Sequence, residues 1–242
     1  MILLCHGDRE YLRAPGEELQ TDLGVLTVPD DVAGGDVLET HLGTEFVVRE
    51  LRGPDLFNHL ERTGAPMMPR DIGLVVGHTG AAADDRVLDA GTGTGVLSAY
   101  LGRLGATVTT YEQDADFAEV ARQNMGTAGV DDRVDVRTGD ILNDLDDLIG
   151  GEPFDLLTLD TEDAPEIVAS APDLLVSGGY VAVYSPFVEN SRKTVSAARE
   201  AGLSDIETVE TIQREMSFDD RGSRPSTAGV GHTGYLTFAR YS

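Results

Sequence analysis

The chain has little of several residue types on which common structural devices depend. Cys5 is the only cysteine among 242 residues, so the chain forms no internal disulfide and no cysteine-rich metal site. The five histidines show no H-x-x-x-H spacing, and no metal site is predicted. No run approaches the roughly 20 apolar residues of a membrane-spanning helix, and the first residues lack the pattern of a signal peptide. These absences predict a cytoplasmic protein that has no membrane partner.

Positive charge is also scarce. The chain has 43 acidic and 18 basic residues, a net charge of −25, and a single lysine, Lys193. Nucleic-acid-binding proteins usually carry basic surfaces, so this balance taken alone argues against RNA as a partner. The even spread of the acids favours a halophilic surface, adapted to molar salt, over an acidic tail or a disordered chain. At about 1 M salt the screening length is about 3 Å, so recognition of phosphate would rest on short-range contacts.

The apolar pattern divides the chain into two domains. Residues 1–63 contain three short apolar runs separated by turns and end in a helix candidate at 54–63, which predicts a small β-rich domain with a linking helix. Residues 64–242 open with a stiff connector at 64–71 and then alternate strand-like and helix-like segments. That alternation predicts a parallel sheet with helices on both faces. The strand-like segments are 86–89, 106–112, 134–137, 154–160 and 180–184.

The last two strand-like runs, 206–212 and 234–239, follow a different pattern. Only a polar, glycine-containing loop is predicted between them, without a helix. This spacing favours a closing antiparallel pair.

The most informative motif is Val-Leu-Asp-Ala-Gly-Thr-Gly-Thr-Gly at residues 87–95. Asp89 stands two residues before the first of three alternating glycines, Gly91, Gly93 and Gly95. This spacing fits the E/D-x-G-x-G-x-G loop of S-adenosylmethionine-dependent methyltransferases, whereas a dinucleotide loop would have glycine at Val96. Glycine is needed where a bulky nucleoside approaches the backbone closely. The alternative is a tight turn that binds nothing.

Each of the first four predicted strands of the second domain ends at an acidic residue. Asp89, Glu112 and Asp160 close three of these strands, and Asp140 lies just beyond another. Because ligands of open α/β sheets bind at the carboxyl ends of the strands, the four acids predict a ligand with cationic and hydrogen-donating groups. S-adenosylmethionine has both. The alternative for each acid is a helix cap or a turn residue.

Roles for these residues follow from their positions. Glu112, about 20 residues beyond the loop, is expected to accept the two ribose hydroxyls. Asp140 is expected beside the adenine of the cofactor. Amides at the start of the next helix are expected to meet the methionine carboxylate. They belong to Thr94, Gly95, Val96 and Leu97. By contrast, the acids at 144, 146 and 147 are interpreted as a solvated segment.

Four segments of the chain, 39–48, 62–71, 87–125 and 224–236, together resemble the tRNA adenine-N1-methyltransferase family that modifies adenine 58 of the T-loop. The ending is the most specific, with Arg-Pro at 224–225 and Gly-His-Thr-Gly-Tyr-Leu at 231–236. The resemblance implies a seven-stranded Rossmann-like methyltransferase domain preceded by a small β-rich domain. It also implies S-adenosylmethionine as the cofactor, tRNA as the substrate and a homotetramer assembled as a dimer of dimers. The target base is expected to be flipped out of its loop.

The resemblance further implies that Asp160 is the catalytic carboxylate, which also lies at the cofactor. A carboxylate bonded to the exocyclic N6 amine stabilises the positive charge that grows on adenine when N1 is methylated. Residues expected to contact substrate are Met68, Arg70, Arg224 and His232. The family commonly has a tyrosine where this chain has Met68, and the sequence after Asp160 also departs from its relatives.

Two alternatives of other classes stay open at this point. A methyltransferase for a protein or small molecule would keep the cofactor half but would not need the first domain or the 231–236 ending. A non-catalytic RNA-binding subunit of a methyltransferase pair usually degrades its glycine loop, whereas Gly91, Gly93 and Gly95 are present here.

Overall fold

The computed structural model describes all residues 1–242 and contains fifteen strands and eight helices. The first 50 residues are β-rich, as the sequence predicts, and form six short strands, where the sequence showed three apolar runs. Residues alternate between the two faces of these strands, with Phe46 and Val48 buried and Val47 exposed. The strands are β1 (Ile2–His6), β2 (Arg9–Arg13), β3 (Glu18–Thr21), β4 (Gly24–Thr27), β5 (Val37–Glu39) and β6 (Glu45–Glu50). They pair antiparallel, in the order β2-β1-β6-β5, with β3 and β4 as a separate hairpin.

The second part of the chain is built on a seven-stranded sheet. Its order is β12-β15-β11-β10-β7-β8-β9, for the strands β7 (Arg86–Ala90), β8 (Thr107–Glu112), β9 (Val134–Thr138), β10 (Phe154–Leu159), β11 (Leu175–Ser185), β12 (Ser204–Glu210) and β15 (Tyr235–Arg240). The strands β7 to β11 pair in parallel, and β15 is antiparallel to both of its neighbours. The predicted antiparallel pair at the end is therefore present, with β15 inserted between β11 and β12.

Helices cover both faces of this sheet. They are α1 (Gly53–His59), α2 (Pro69–Thr79), α3 (Val96–Leu104), α4 (Ala115–Ala128), α5 (Ile141–Ile149), α6 (Ala164–Ala169), α7 (Ala171–Leu174) and α8 (Val188–Glu200). Alternate residues of the central strand β7 pack in different cores, Val87 in one and Leu88 in the other. No helix combines the length and the apolar character needed to cross a membrane. The Rossmann-like fold class is confirmed.

Three local features differ from what the sequence predicts. The connector ends early, because α2 begins at Pro69, whose fixed φ suits the first turn of a helix. The acids at 144, 146 and 147 are exposed, as predicted, but they lie on a helix, α5, that the sequence analysis did not predict, and Asp144 accepts a hydrogen bond from Tyr111 Oη at 3.1 Å. The loop before β15 contains a hairpin of two further strands, β13 (Met216–Asp219) and β14 (Gly222–Pro225).

The linking helix α1 packs onto the second part of the chain. Leu56 and Leu60 are buried in the same core as Val87 of the large sheet. Just after this helix, the side-chain amide of Asn124 on α4 bonds both backbone groups of Glu61 and donates to the carbonyl of Thr94 at 2.8 Å. These contacts hold the segment after α1 against the glycine loop.

Candidate active site

A cavity of about 330 Å³ opens at the carboxyl ends of β7, β8 and β10. The glycine loop forms its floor, and residues 63–67 form one wall. The structure brings nearly all predicted cofactor residues together here, namely Asp89, Gly91, Gly93, Thr94, Gly95, Val96, Leu97, Glu112 and Asp160. The position is the point at which the strand order reverses direction in the sheet, where α/β proteins bind their ligands.

The glycine loop has the backbone conformation for which its sequence is specialised. Gly91, Gly93 and Gly95 have φ values of 88°, 52° and 80°, a region that side chains other than glycine rarely adopt. A Cβ atom at Gly91 would lie far inside van der Waals contact with the backbone oxygen of Asp160. The strands β7 and β10 can therefore approach only because residue 91 has no side chain, and the cavity keeps an open backbone floor.

Asp89 lines the cavity and also makes contacts within the chain that were not predicted. Its carboxylate is 3% exposed and accepts hydrogen bonds from the hydroxyls of Ser98 at 2.9 Å, Thr110 at 2.6 Å and Thr158 at 2.6 Å. Burial raises the pKa of Asp89, and the three hydroxyl donors oppose that rise. The carboxylate of Asp89, which we expected to need a cationic ligand, is thus stabilised largely by hydrogen bonds from the chain itself. Through these bonds Asp89 connects α3, β8 and β10 beneath the loop.

Glu112 ties the end of β8 to the glycine loop. Its Oε2 accepts from the Gly93 amide at 2.8 Å, and its Oε1 accepts from the Asp114 amide at 3.1 Å. Each carboxylate oxygen has a further lone pair, and the side chain lines the cavity. Two amides therefore fix the position of the Glu112 side chain, and its carboxylate can still accept hydrogen bonds from hydroxyl groups in the cavity.

The start of α3 offers fewer amides than predicted. The Gly95 amide donates to the carbonyl of Thr92 at 2.8 Å, so it is not available to a ligand. The amides of Thr94, Val96 and Leu97 make no hydrogen bond within the chain. Because the first amides of a helix have no partner inside the helix, those of Val96 and Leu97 form a site suited to a carboxylate.

Asp140 lies at the edge of the site, without lining the cavity. It is the N-cap of α5, and its Oδ1 accepts from the Leu142 amide at 3.0 Å. Its neighbours Gly139 and Ile141 do line the cavity. The capping alternative therefore describes the contact that Asp140 makes in the structure.

Asp160 is the acid without partners. It follows β10 directly, and its side chain makes no hydrogen bond within the chain, although its amide donates to the carbonyl of Ala90 at 2.8 Å. Asp160 is accessible from the cavity, while the surrounding protein atoms partly desolvate its carboxylate. Burial, and then the negative charge of Asp89, raise the pKa of Asp160 to about 7. This carboxyl group can therefore gain or lose a proton near neutral pH.

A polar cluster that the sequence did not reveal lies behind Asp160. Arg70 donates from Nη2 to the Thr233 hydroxyl at 2.7 Å, and Tyr184 donates from its hydroxyl to the Thr233 carbonyl at 2.7 Å. Asp71, buried beside Arg70, has one oxygen without a partner. Burial, followed by the charges of Asp160 and Asp71, raises the pKa of Tyr184. The sequence signals were the connector, which contains Arg70, and the Gly-His-Thr-Gly ending, which contains Thr233; their proximity to each other was not predicted.

The other residues expected to contact substrate are dispersed. Met68 lines a second cavity, while Met67 lines the first. Arg224 is exposed on β14 and makes no ion pair or hydrogen bond. His232 is held by the chain, because Nδ1 lies 2.8 Å from Glu210 Oε1 and Nε2 lies 2.9 Å from the carbonyl of Pro186.

The residues present fit S-adenosylmethionine. Gly91 leaves backbone open to a nucleoside, Glu112 presents acceptors for hydroxyls, and α3 presents free amides for a carboxylate. Fold and site together define an S-adenosylmethionine-dependent methyltransferase.

Comparison with known proteins narrows this class. Residues 54–222 match the family model of the tRNA methyltransferase complex GCD14 subunit. The chain is 32% identical to the tRNA (adenine(57)-N(1)/adenine(58)-N(1))-methyltransferase TrmI of Methanocaldococcus jannaschii, over 97% of this chain and 92% of that protein. The chain belongs to the GCD14 family of tRNA methyltransferases.

Solved structures agree on the fold. An S-adenosylmethionine-dependent O-methyltransferase from Thermotoga maritima matches with a TM-score of 0.79 and 25% identity, over 99% of this chain and 92% of that one. The tRNA (m1A58) methyltransferase TrmI from Aquifex aeolicus matches with a TM-score of 0.73 and 22% identity, over 99% and 95%. The family, the fold class and the cofactor expected from sequence are confirmed. The individual site roles, the subunit number and the salt adaptation stay predictions.

Proposed function

We propose that the chain transfers a methyl group from S-adenosylmethionine to N1 of adenine 58 in the T-loop of tRNA. The observation that carries the proposal is the unpartnered carboxylate of Asp160, which faces the same cavity as the glycine loop. The substrate is inferred from relatives, since the M. jannaschii enzyme is named for adenines 57 and 58. Because the N1 edge of a stacked or paired adenine is closed, the base is flipped into the cavity.

When bound, S-adenosylmethionine supplies a methyl group made electrophilic by its sulfonium. The lone pair of adenine N1 forms the new bond to that carbon, and the bonding pair between carbon and sulfur stays on sulfur. Positive charge then develops on the purine. The Asp160 carboxylate accepts a hydrogen bond from the N6 amine and stabilises this charge, a contribution of roughly 100- to 10,000-fold for a positioned acid or base.

Other residues orient the reactants in this proposal. Glu112 accepts the ribose hydroxyls, and the free amides of Val96 and Leu97 donate to the methionine carboxylate. The adenine of the cofactor lies beside Asp140, whose capping bond with Leu142 fixes its side chain. The cluster of Arg70, Thr233 and Tyr184 supports the wall next to Asp160.

The active form is proposed to be a homotetramer, a dimer of dimers, that works in the cytoplasm, where tRNA is found, and at high salt. Large apolar side chains exposed around the hairpin β13–β14 support subunit contacts. Ile212, Met216 and Phe218 are 71%, 50% and 76% exposed. A subunit contact in this region would remove these apolar side chains from water.

The decisive experiment incubates the purified chain with S-adenosylmethionine and a tRNA transcript in molar potassium chloride. Nucleosides are then analysed by mass spectrometry. We expect 1-methyladenosine from the wild-type transcript and none from a transcript with guanine at position 58. Methyl transfer from labelled cofactor into protein, with none into tRNA, would instead identify a protein methyltransferase. Absence of any transfer, with cofactor bound, would identify a non-catalytic subunit.

A further inference from the structure

A second cavity, of about 560 Å³, lies beside the cofactor cavity and takes no part in the chemistry described so far. One wall is formed by the segment from α1 to the start of α2, and the other by the loop that carries the β13–β14 hairpin. The residues that matter for its chemistry are Phe57, Met68, Arg70, Arg214, Glu215 and Val230.

The two cavities are immediate neighbours. Met67 lines the cofactor cavity and Met68 lines the second one, and consecutive Cα atoms are about 3.8 Å apart. Arg70 also lines the second cavity, while its bond to Thr233 links it to Tyr184 beside Asp160. The two cavities therefore adjoin the same segment of chain, which is the arrangement expected if successive units of one chain molecule occupy them.

The lining combines cations with apolar faces. Two arginines and one glutamate line the cavity, in a chain whose net charge is −25. Arg214 makes no ion pair or hydrogen bond with the protein, although 43 acidic residues are available. Close by, Arg62 lies over the ring of Phe57 at 4.5 Å and has no acidic partner. Several other arginines also lack an acidic partner, and what distinguishes Arg214 is that it lines this cavity together with Arg70 and apolar side chains, where its guanidinium can contact an external anion.

We propose that the second cavity holds a nucleotide of the tRNA next to the target adenine, with its phosphate on Arg214 and its base against Met68 and Val230. This inference rests on the proposed function. Phosphate and apolar contacts of this kind suit any base, because every base has a π-face and every nucleotide has a charge. The site thereby sets which position of the loop reaches Asp160, independently of the identity of the neighbouring base.

The first test measures tRNA affinity with S-adenosylhomocysteine bound, so that no turnover occurs. Arg214→Ala is compared with Arg192→Ala, a matched exposed arginine on α8, which packs on the opposite face of the sheet from α2. We expect Arg214→Ala to weaken tRNA binding about tenfold and to reduce the salt dependence of log Kd by about one charge. Arg192→Ala and the cofactor affinity of both variants should match the wild type.

The second test maps the contact directly. Cys5 is buried, so Val230→Cys provides the only exposed thiol for a photoreactive probe. Irradiation with tRNA should crosslink a nucleotide within two positions of adenine 58. A crosslink elsewhere in the tRNA, or to a second copy of this chain, would overturn the proposal.

Failure of this inference differs from failure of the proposed function. If the wild type forms 1-methyladenosine while Arg214→Ala binds tRNA normally, only the second site is wrong. If Arg214→Ala lowers the mass measured by light scattering, the cavity is a subunit contact. If the wild type modifies no tRNA, the proposed function itself fails.

Discussion

Gly91 lies directly against the backbone carbonyl of Asp160, so that this carbonyl, one residue beyond β10, occupies the place of a side chain at 91. Gly91→Ala should therefore force β7 and β10 apart. The positive φ alone costs roughly 1–3 kcal/mol, and the displaced carbonyl adds to this. We expect loss of S-adenosylmethionine binding by calorimetry and a lower melting temperature.

Gly126→Ala is the matched control for that variant. Gly126 lies within α4, where nothing would contact the added carbon. Alanine favours helix over glycine by up to about 1 kcal/mol, so this variant should bind cofactor normally and melt no lower than the wild type. Equal damage from both substitutions would contradict the role given to Gly91.

Asp160→Asn should separate binding from chemistry. The carboxylate makes no bond within the chain, so its replacement should preserve the fold and leave S-adenosylmethionine affinity within a few-fold of the wild type. Methyl transfer to tRNA should fall roughly 100- to 10,000-fold. Single-turnover rates at saturating tRNA are the measurement, and an unchanged rate would remove Asp160 from the catalytic role.

The raised pKa of Asp160 predicts how stability depends on pH in the protein without cofactor. Between pH of about 4 and 7 the native carboxyl retains a proton that the unfolded chain has lost. The contribution of Asp160 to stability therefore falls as pH rises through this window. The melting temperature of Asp160→Asn relative to wild type should increase from pH 4 to 7 and then level off. A constant difference would show that Asp160 titrates normally.

His232 should titrate above the ordinary histidine value. The carbonyl of Pro186 and the carboxylate of Glu210 both accept hydrogen bonds, so the imidazolium form, which donates from both nitrogens, is favoured and the pKa of His232 is raised. The stabilisation is complete below the unfolded pKa and is lost as pH rises through the folded pKa. An NMR titration should show this shift in the wild type and a smaller one in Glu210→Gln. Identical pKa values in the two proteins would contradict it.

The position of the site was predictable because strand ends and glycine spacing are local properties. The contacts of Asp89 were not, since its donors lie at residues 98, 110 and 158. Strand register alone sets Thr110 and Thr158 beside Asp89. A threonine in an otherwise apolar strand was the available sign, and it gains meaning only once the strand order is known.

Helix α5 was missed for another reason. Its acids suggested a solvated segment, whereas Ile141, Leu142, Leu145 and Leu148 recur at helical spacing and pack toward the core. The many acids on the exposed face of α5 drew attention away from the helical spacing of the apolar residues on its buried face. In a chain so rich in acids, apolar periodicity is the better guide to structure.

The side chain of Asn124 connects two parts of the chain, because its carboxamide bonds both Glu61, after α1, and Thr94 of the glycine loop. A displacement of the segment after α1 would therefore act on the glycine loop through Asn124. We therefore expect the position of the segment after α1 and the binding of S-adenosylmethionine to depend on each other.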